Sequence, residues 1–520
     1  MMKYFSQVVE NHANKRPDHP AYIFMDQETT YKKYNEDINR VANSLLSLGL
    51  LPGDKIATIL PESPAFMNIY MAAATMGLVL VPLDPRFTAA EMAKLCERTH
   101  PKVLISLAYP ENIKNAAQEL IKKTPFDHIY SYFGTLDHEK CKPYEDLLNG
   151  SPDPVPDDVH PGPEDPLVII FTSGSTGTPK GAVISHKNSY AIAKASVDAW
   201  GNTDNDRVLI NMPTSHVAGT HDMIAIQLYA GATGILCPKF DPQETLEFIK
   251  KYKITYFGGV PTMYRLIFKK CTVENYDLSS IRMVVVSGEP SPPELIHQIS
   301  KVFSNAQIVA SFGMSETAGF FTFTKPDDAL EIAAVTEGAP GQGFEMKALK
   351  PDGTWAQTDE IGELLVKGDS VISGYMDAEN NKDAFFDGWL RTGDLGYMDE
   401  NNYLHYVGRS KEMYISGGYN VYPLEIESYL NAWPGINTSA VIEVPHDLFG
   451  ETGIAFIVPE EGKTLDPDKI RQYLADGLAD YKRPSRIIIA TDLPKTLIGK
   501  INKRQMRKDI NKYMQEDSGA

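Results

Sequence analysis

The chain has 520 residues, 42% of them hydrophobic and 23% charged, which is more than one hydrophobic core usually supports and predicts two or more packed domains. Its formal net charge of −18 argues against a nucleic-acid-binding surface, because phosphate backbones need clustered Lys and Arg. The four cysteines, Cys96, Cys141, Cys237 and Cys271, show no Cys-x-x-Cys spacing, so neither a disulfide framework nor a zinc site is expected, and a reducing cytoplasm fits.

The N-terminus lacks a signal peptide's apolar stretch, and the longest apolar run, residues 71–83, is too short to span a bilayer. Residues 34–48 carry a helical periodicity, 55–60 read as a strand, 65–76 as a helix and 78–82 as a strand. That alternation favours an α/β layered fold. Residues 151–166 then hold six prolines among acidic side chains, a composition that suits either a domain linker or a surface loop.

The next segment carries the strongest signal. A buried strand at 167–171 runs into Thr172, Ser173, Gly174, Ser175, Thr176, Gly177, Thr178, Pro179 and Lys180, and residues 181–186 read as a second strand. Glycines let backbone amides close on an anion, the hydroxyls add donors, and Lys180 adds a point charge. This is a polyphosphate cradle, and it differs from the common P-loop because Lys180 follows a proline and does not open a helix.

Beyond it, strands at 254–257, 283–286 and 308–310 run into Gly258-Gly259, Ser287-Gly288-Glu289-Pro290 and Ser311-Phe312-Gly313-Met314-Ser315-Glu316. Ligands gather where the strands of open α/β sheets end, so these loops are expected to crowd one crevice with the cradle. From Tyr414 the elements shorten into what reads as a compact α+β domain, with a boundary near Lys411. The basic cluster from Lys495 through Lys500, Lys503, Arg504 and Arg507 to Lys512 reads as a solvated terminal helix.

The cradle is followed, in order over residues 172–500, by Ser311 to Glu316, Trp389-Leu390-Arg391-Thr392-Gly393-Asp394, Gly408-Arg409, Ser416-Gly417-Gly418 and the lysine motif ending at Lys500. With these motifs the chain resembles the adenylate-forming superfamily of acyl-CoA synthetases, peptide-synthetase adenylation domains and firefly-type luciferases. The resemblance implies an α/β fold: a large, multi-subdomain AMP-binding domain at 1–410 and a small mobile α+β catalytic domain at 411–520, with the active site at their interface. It also implies a two-step reaction, in which carboxylate and MgATP give an acyl-adenylate and pyrophosphate, and coenzyme A then takes the acyl group and releases AMP.

The roles follow residue by residue. The cradle and Lys180 would hold the β and γ phosphates, Glu316 a magnesium ion, Ser315 the α-phosphate, Phe312 one adenine face, and Gly288, Glu289 and Pro290 the other. Ser311, Gly313 and Met314 complete that nucleotide-binding loop. Asp394 would take both ribose hydroxyls with Arg409 beside it, and Lys500 would bridge the ribose and the reacting carboxylate. Lys411 falls at the hinge, and Gly417 and Gly418 would line the thiol path after the small domain turns.

His216, in Met212-Pro213-Thr214-Ser215-His216, matches a gate between the nucleotide and the thiol channel, with Ala218 and Gly219 leaving room for the acyl group. That motif holds no aspartate to pair with an α-ammonium, so an unaminated acid is favoured. Phe320, Phe321 and Phe323 read equally as a pocket wall or as strand core. Ser315 stands where the family usually has Thr, and Ile498 where it usually has Ser or Thr. No carrier domain follows the lysine motif, so the thiol is expected in trans, from free coenzyme A or, alternatively, a carrier protein's phosphopantetheine. A nucleotide-binding protein without chemistry is the reading from another class. The acid's length and branching, the pathway and the oligomeric state stay open, a homo-oligomer included.

Overall fold

The apolar runs assemble into two seven-stranded sheets in a computed structural model that describes residues 3–172, 179–289, 291–495, 500–510 and 513. In the first sheet Lys55–Ile59 lies between Val79–Pro82 and Val103–Leu107, all parallel; Pro166–Thr172 pairs with Val79–Pro82, and Lys180–Ser185 closes the edge antiparallel. In the second, Tyr256–Gly259, Met283–Ser287 and Gln307–Ser311 run parallel beside Arg207–Ile210 and Thr233–Leu236. The chain's first strand, Pro20–Phe24, joins this second sheet against Thr233–Leu236, and Gln27–Thr30 forms its edge.

The helix Pro64–Met76 shows why the sheets stay together. It starts with Ser63, whose hydroxyl accepts the Phe66 N–H at 3.3 Å, and with proline at the first turn, where no N–H is needed. Twelve of its thirteen residues are buried, so it is apolar all round and serves as core on every face. Phe66, Met67 and Ile69 are wholly buried, each contributing about 2 kcal/mol of apolar burial. Its amphipathic neighbour, Tyr31–Ser47, buries one stripe from Tyr34 to Leu45 against the same core.

The proline-rich segment proves to be a loop within the first sheet. Cys141–Pro143 before it and Pro166–Thr172 after it belong to the same sheet. Asn39 donates to the Pro152 carbonyl at 3.0 Å, Asn43 to those of Ser151 and Asp153 at 3.1 and 2.8 Å, and Arg40 to that of Gly150 at 3.1 Å, strapping the segment to the helix Tyr31–Ser47.

A third, antiparallel sheet pairs Gly362–Lys367 with Glu345–Leu349 and Trp389–Met398, and the last of these with Leu404–Arg409. From Tyr414 the chain builds a separate sheet around the hairpin Ile436–His446 and Gly450–Pro459, with Arg486–Ile489 parallel to its second strand. The helices Pro423–Asn431 and Pro467–Gly477 cover it, and Val421, Ile426, Leu430, Val441 and Ile457 share a core of their own. Among the described residues no helix is long and apolar enough to cross a membrane.

Candidate active site

The strands on either side of the phosphate loop pair antiparallel, Phe171 opposite Gly181 and Thr172 opposite Lys180, so the loop joins two strands. Ser173, Gly174, Ser175, Thr176, Gly177 and Thr178 lie outside the described residues, as do Pro290 and Ile498. The loop's exit is held from outside. Arg98 donates to the Pro179 carbonyl at 2.7 Å, pairs with Asp377, and sits 5.2 Å over the Phe171 ring.

Lys180 Nζ stands 4.9 Å from the centroid of the Tyr375 ring, and the Tyr375 hydroxyl donates to Glu316 Oε1 at 2.8 Å. A β-bridge between Ala182 and Tyr375 and a 2.9 Å bond from the Met376 N–H to the Gly181 carbonyl fix that tyrosine against the strand. Tyr375 therefore links cation and acid, one over its ring face and the other at its hydroxyl, with the cation–π contact worth about 0.5–2 kcal/mol. Burial and the neighbouring Glu316 charge push the Tyr375 phenol well up, so it remains a donor.

Glu316 is buried, and its second oxygen takes no hydrogen bond among the described residues. Among the described residues no group of three or more His, Cys, Asp or Glu side chains gathers there to form a protein cage. One carboxylate with a spare oxygen fits a magnesium ion that keeps its waters and completes its shell with phosphate oxygens.

The wall carrying Ser311 and Phe312 is set by hydroxyl bonds between strands. Ser287 donates to the Ser311 carbonyl at 2.6 Å, Ser311 to the Thr322 carbonyl at 2.6 Å, and the Phe312 N–H to Thr322 Oγ1 at 3.0 Å. Gly313 and Met314 pair antiparallel with Phe320 and Gly319, leading into the buried turn Ser315–Thr317. Phe312 is half-buried, its ring 6.2 Å from that of Tyr406. Gly288 and Glu289 follow Ser287 directly, and Glu289 accepts from Thr262 at 3.5 Å.

Asp394 lies opposite Arg409 across two antiparallel strands. Arg409 Nε stands 2.9 Å from Asp394 Oδ1, and the Tyr406 hydroxyl donates to the same oxygen at 3.3 Å. Burial at 2% exposure pushes the Asp394 carboxyl up to about 6, against the pull of Arg409. The Asp394 charge in turn holds the Arg409 guanidinium above its ordinary range. Tyr375 and Tyr406 are hydrogen-bond partners of Glu316 and Asp394 that no motif marked.

Lys500 reaches this wall from the small unit. Burial holds its ammonium below the ordinary lysine range, with Glu289 and Asp394 acting to raise it and Arg409 to lower it. Burial and then the Lys500 charge push the His216 imidazole down to about 4, so the ring is neutral near pH 7. Its Nδ1 accepts the Ala218 N–H at 3.1 Å, which leaves the ring proton on Nε2. Ala218 and Gly219 open a π-helix, Ala218–Ala225, a rare geometry that frequently marks functional sites.

The structure thus gathers Lys180, Glu316, Glu289, Asp394, Arg409, His216 and Lys500 around one crevice. Lys411 sits in an exposed turn. Gly417 and Gly418 form another, where the Gly417 N–H donates to the Phe449 carbonyl at 2.9 Å. The structure bears on two further sequence readings. Phe320, Phe321 and Phe323 are buried core, the first and third edge-on to Trp200 and the second stacked on Phe344. The terminal helix Lys503–Lys508 is not freely solvated: Lys503 pairs with Glu412 and Glu427, and Arg507 with Glu443.

Family models described as AMP-binding enzyme and AMP-binding enzyme C-terminal domain match residues 9–376 and 425–500. The chain is 32% identical over 507 residues to an indoleacetate–CoA ligase of Aromatoleum aromaticum, covering 96% of this chain and 97% of that one. It is also 32% identical to a feruloyl-CoA synthase of an Amycolatopsis species, over 92% of this chain and 93% of the relative. Among solved structures, the anthranilate–CoA ligase AuaEII in complex with anthranoyl-AMP matches with a TM-score of 0.90 at 25% identity, covering 98% of each chain. ATP-bound MatB from Rhodopseudomonas palustris matches with a TM-score of 0.86 at 28% identity, over 98% of this chain and 99% of that one.

Proposed function

The chain belongs to the AMP-binding enzyme family, and from that membership we propose a part for each residue of its crevice in a two-step ligation. It is a carboxylate–CoA ligase: a carboxylic acid and ATP give an acyl-adenylate and pyrophosphate, and coenzyme A then takes the acyl group and releases AMP. The observation that carries the assignment of residues is the meeting of Lys500, from the small unit, with Glu289, Asp394 and His216 of the large one.

In the first step an acid oxygen bonds to the α-phosphorus while the bond from that phosphorus to the bridging oxygen breaks. Negative charge grows on the departing pyrophosphate, so cations and fixed donors supply most of the catalysis. Lys180 meets the β and γ phosphates together with the loop 173–178, and its rest over Tyr375 keeps it aimed. A magnesium ion held by Glu316 would neutralise phosphate charge. Phe312 stacks on the adenine, Asp394 and Arg409 take the ribose, and Lys500 spans the ribose and the incoming carboxylate. Ser315 serves the α-phosphate, with Ser311, Gly313 and Met314 shaping its loop.

The second step needs a different face. We place the domain boundary at 410/411, with rotation about Lys411 withdrawing Lys500 and bringing Gly417 and Gly418 to the thiol path. His216, neutral and carrying its proton on Nε2, stands between acyl group and thiol, beside Ala218 and Gly219. The acid is unaminated; indoleacetate and ferulate, for which two relatives are named, are aromatic acids of that kind. A cytoplasmic setting suits the four free cysteines.

A panel of aliphatic, branched, alicyclic and aromatic acids, scored by AMP release with coenzyme A, tests the reading. Acid- and CoA-dependent AMP is expected; release of ADP instead would refute it.

A further inference from the structure

Beyond His216 lies a buried acid that none of these steps uses. Asp222 sits four residues past Ala218 on the π-helix Ala218–Ala225, on nearly the same helix face and one turn deeper, and is 5% exposed. One carboxylate oxygen accepts the Phe320 N–H at 2.9 Å, and the other has no hydrogen-bond partner among the described residues. Nearby, Tyr256 is wholly buried with its hydroxyl unpartnered. The rings of Tyr256 and of Phe320, whose N–H bonds Asp222, both pack on Trp200, which sets the two groups in one neighbourhood.

The backbone is shaped to bring them there. A Cβ on Gly319, whose φ is +123°, would stand 2.1 Å from Asp222 Oδ1, so glycine is needed at that approach. Trp200 meets Phe320 edge to face at 5.2 Å and lies 6.3 Å from Tyr256, walling the polar pair with aromatic surface. A buried polar atom without a partner costs about 1–3 kcal/mol, and a purely apolar pocket has no use for the Tyr256 hydroxyl.

We propose that Asp222 and Tyr256 form the end wall of the acyl pocket and select a carboxylic acid that carries a neutral hydrogen-bonding group, a hydroxyl or an oxo oxygen, at the end away from its reacting carboxylate. This rests on the ligase reading above. Burial pushes the Asp222 carboxyl well up, so the group is neutral and offers both a donor and an acceptor, as does the phenol.

The test compares matched pairs on the full chain: hexanoic acid with its terminal alcohol, and phenylpropanoic acid with its para-hydroxy derivative, each scored by kcat/KM for CoA-dependent AMP release. In at least one pair the polar member is expected to be preferred by about tenfold or more. Tyr256→Phe, which deletes only an unpartnered hydroxyl, should lower kcat/KM for that polar member about tenfold more than for its hydrocarbon twin. Asp222→Val should move the preference towards the hydrocarbon. Equal use within every pair, equal losses in Tyr256→Phe, or preference for an ammonium-terminated acid would each overturn the inference and leave the ligase reading standing. A panel in which no acid releases AMP would overturn both.

Discussion

Lys500 and Lys503 are both half-buried, both on the small unit and only three residues apart, yet they live in opposite electrostatic worlds. Lys503 is clamped at 2.8 Å by both Glu412 and Glu427, its side chain 12% exposed, and those acids outweigh burial to hold its ammonium above the ordinary range. For Lys500 burial wins, and Glu289, Arg409 and Asp394, whose charges act on it, belong to the large domain. In the rotation about Lys411 proposed above, the partners of Lys503 would travel with it, whereas Glu289, Arg409 and Asp394 would stay behind. On that proposal one lysine is an anchor and the other is delivered and withdrawn.

The sharpest way to break this contrast is Lys500→Ala. Acid-dependent exchange of pyrophosphate into ATP should fall about a thousandfold, the scale of losing a group aimed at transition-state charge. Thioester formation from supplied acyl-adenylate should stay largely intact. Equal loss of both half-reactions would mean that Lys500 does not leave the site between them.

Lys503→Ala should act on stability. It strands Glu412 and Glu427 in a largely buried setting, and breaking a buried ion pair from one side costs about 3–5 kcal/mol, readable as a lower urea midpoint. A change below about 1 kcal/mol would class the cluster with surface pairs and remove the anchor from the comparison.

Asp394→Asn sharpens the contrast from the large-domain side, with an expected rise of about tenfold in the apparent KM for ATP at pH 7. The wild-type carboxyl sits at about 6, so ATP affinity should weaken as pH falls through that value and the ribose acceptor is protonated. The sign separates this from unfolding. A carboxyl raised in the fold contributes stability that grows as pH falls from about 6 towards 3.8, so acid weakens binding through this group without loosening the protein. A wild-type pH profile retained in Asp394→Asn would move the titration elsewhere.

Much of this was legible in the chain, because local pattern and global role agree. The strands flanking the cradle, the apolar helix at 64–76 and the strand-to-loop junctions at Ser287 and Ser311 all follow from periodicity and glycine placement. Tyr375 and Tyr406 were not legible: each is a lone tyrosine, and its value comes from a carboxylate 59 and 12 residues away, respectively. Asp222 was invisible for the same reason, since its partner is the backbone of Phe320, 98 residues on. The basic terminal helix misleads by composition, because Lys503 and Arg507 meet acids from the hinge and from other elements of the small unit.

The placement of the first strand reaches into how the protein is made. Pro20–Phe24 leaves the ribosome some two hundred residues before the strand it lies against, Thr233–Leu236. The opening segment must therefore wait, its apolar face uncovered, and the second sheet closes only when both ends of that long interval have been synthesised. An expressed piece starting at the cradle would lack an edge of its sheet, and a peptide spanning the first thirty residues, added in trans, is the natural complement to restore it.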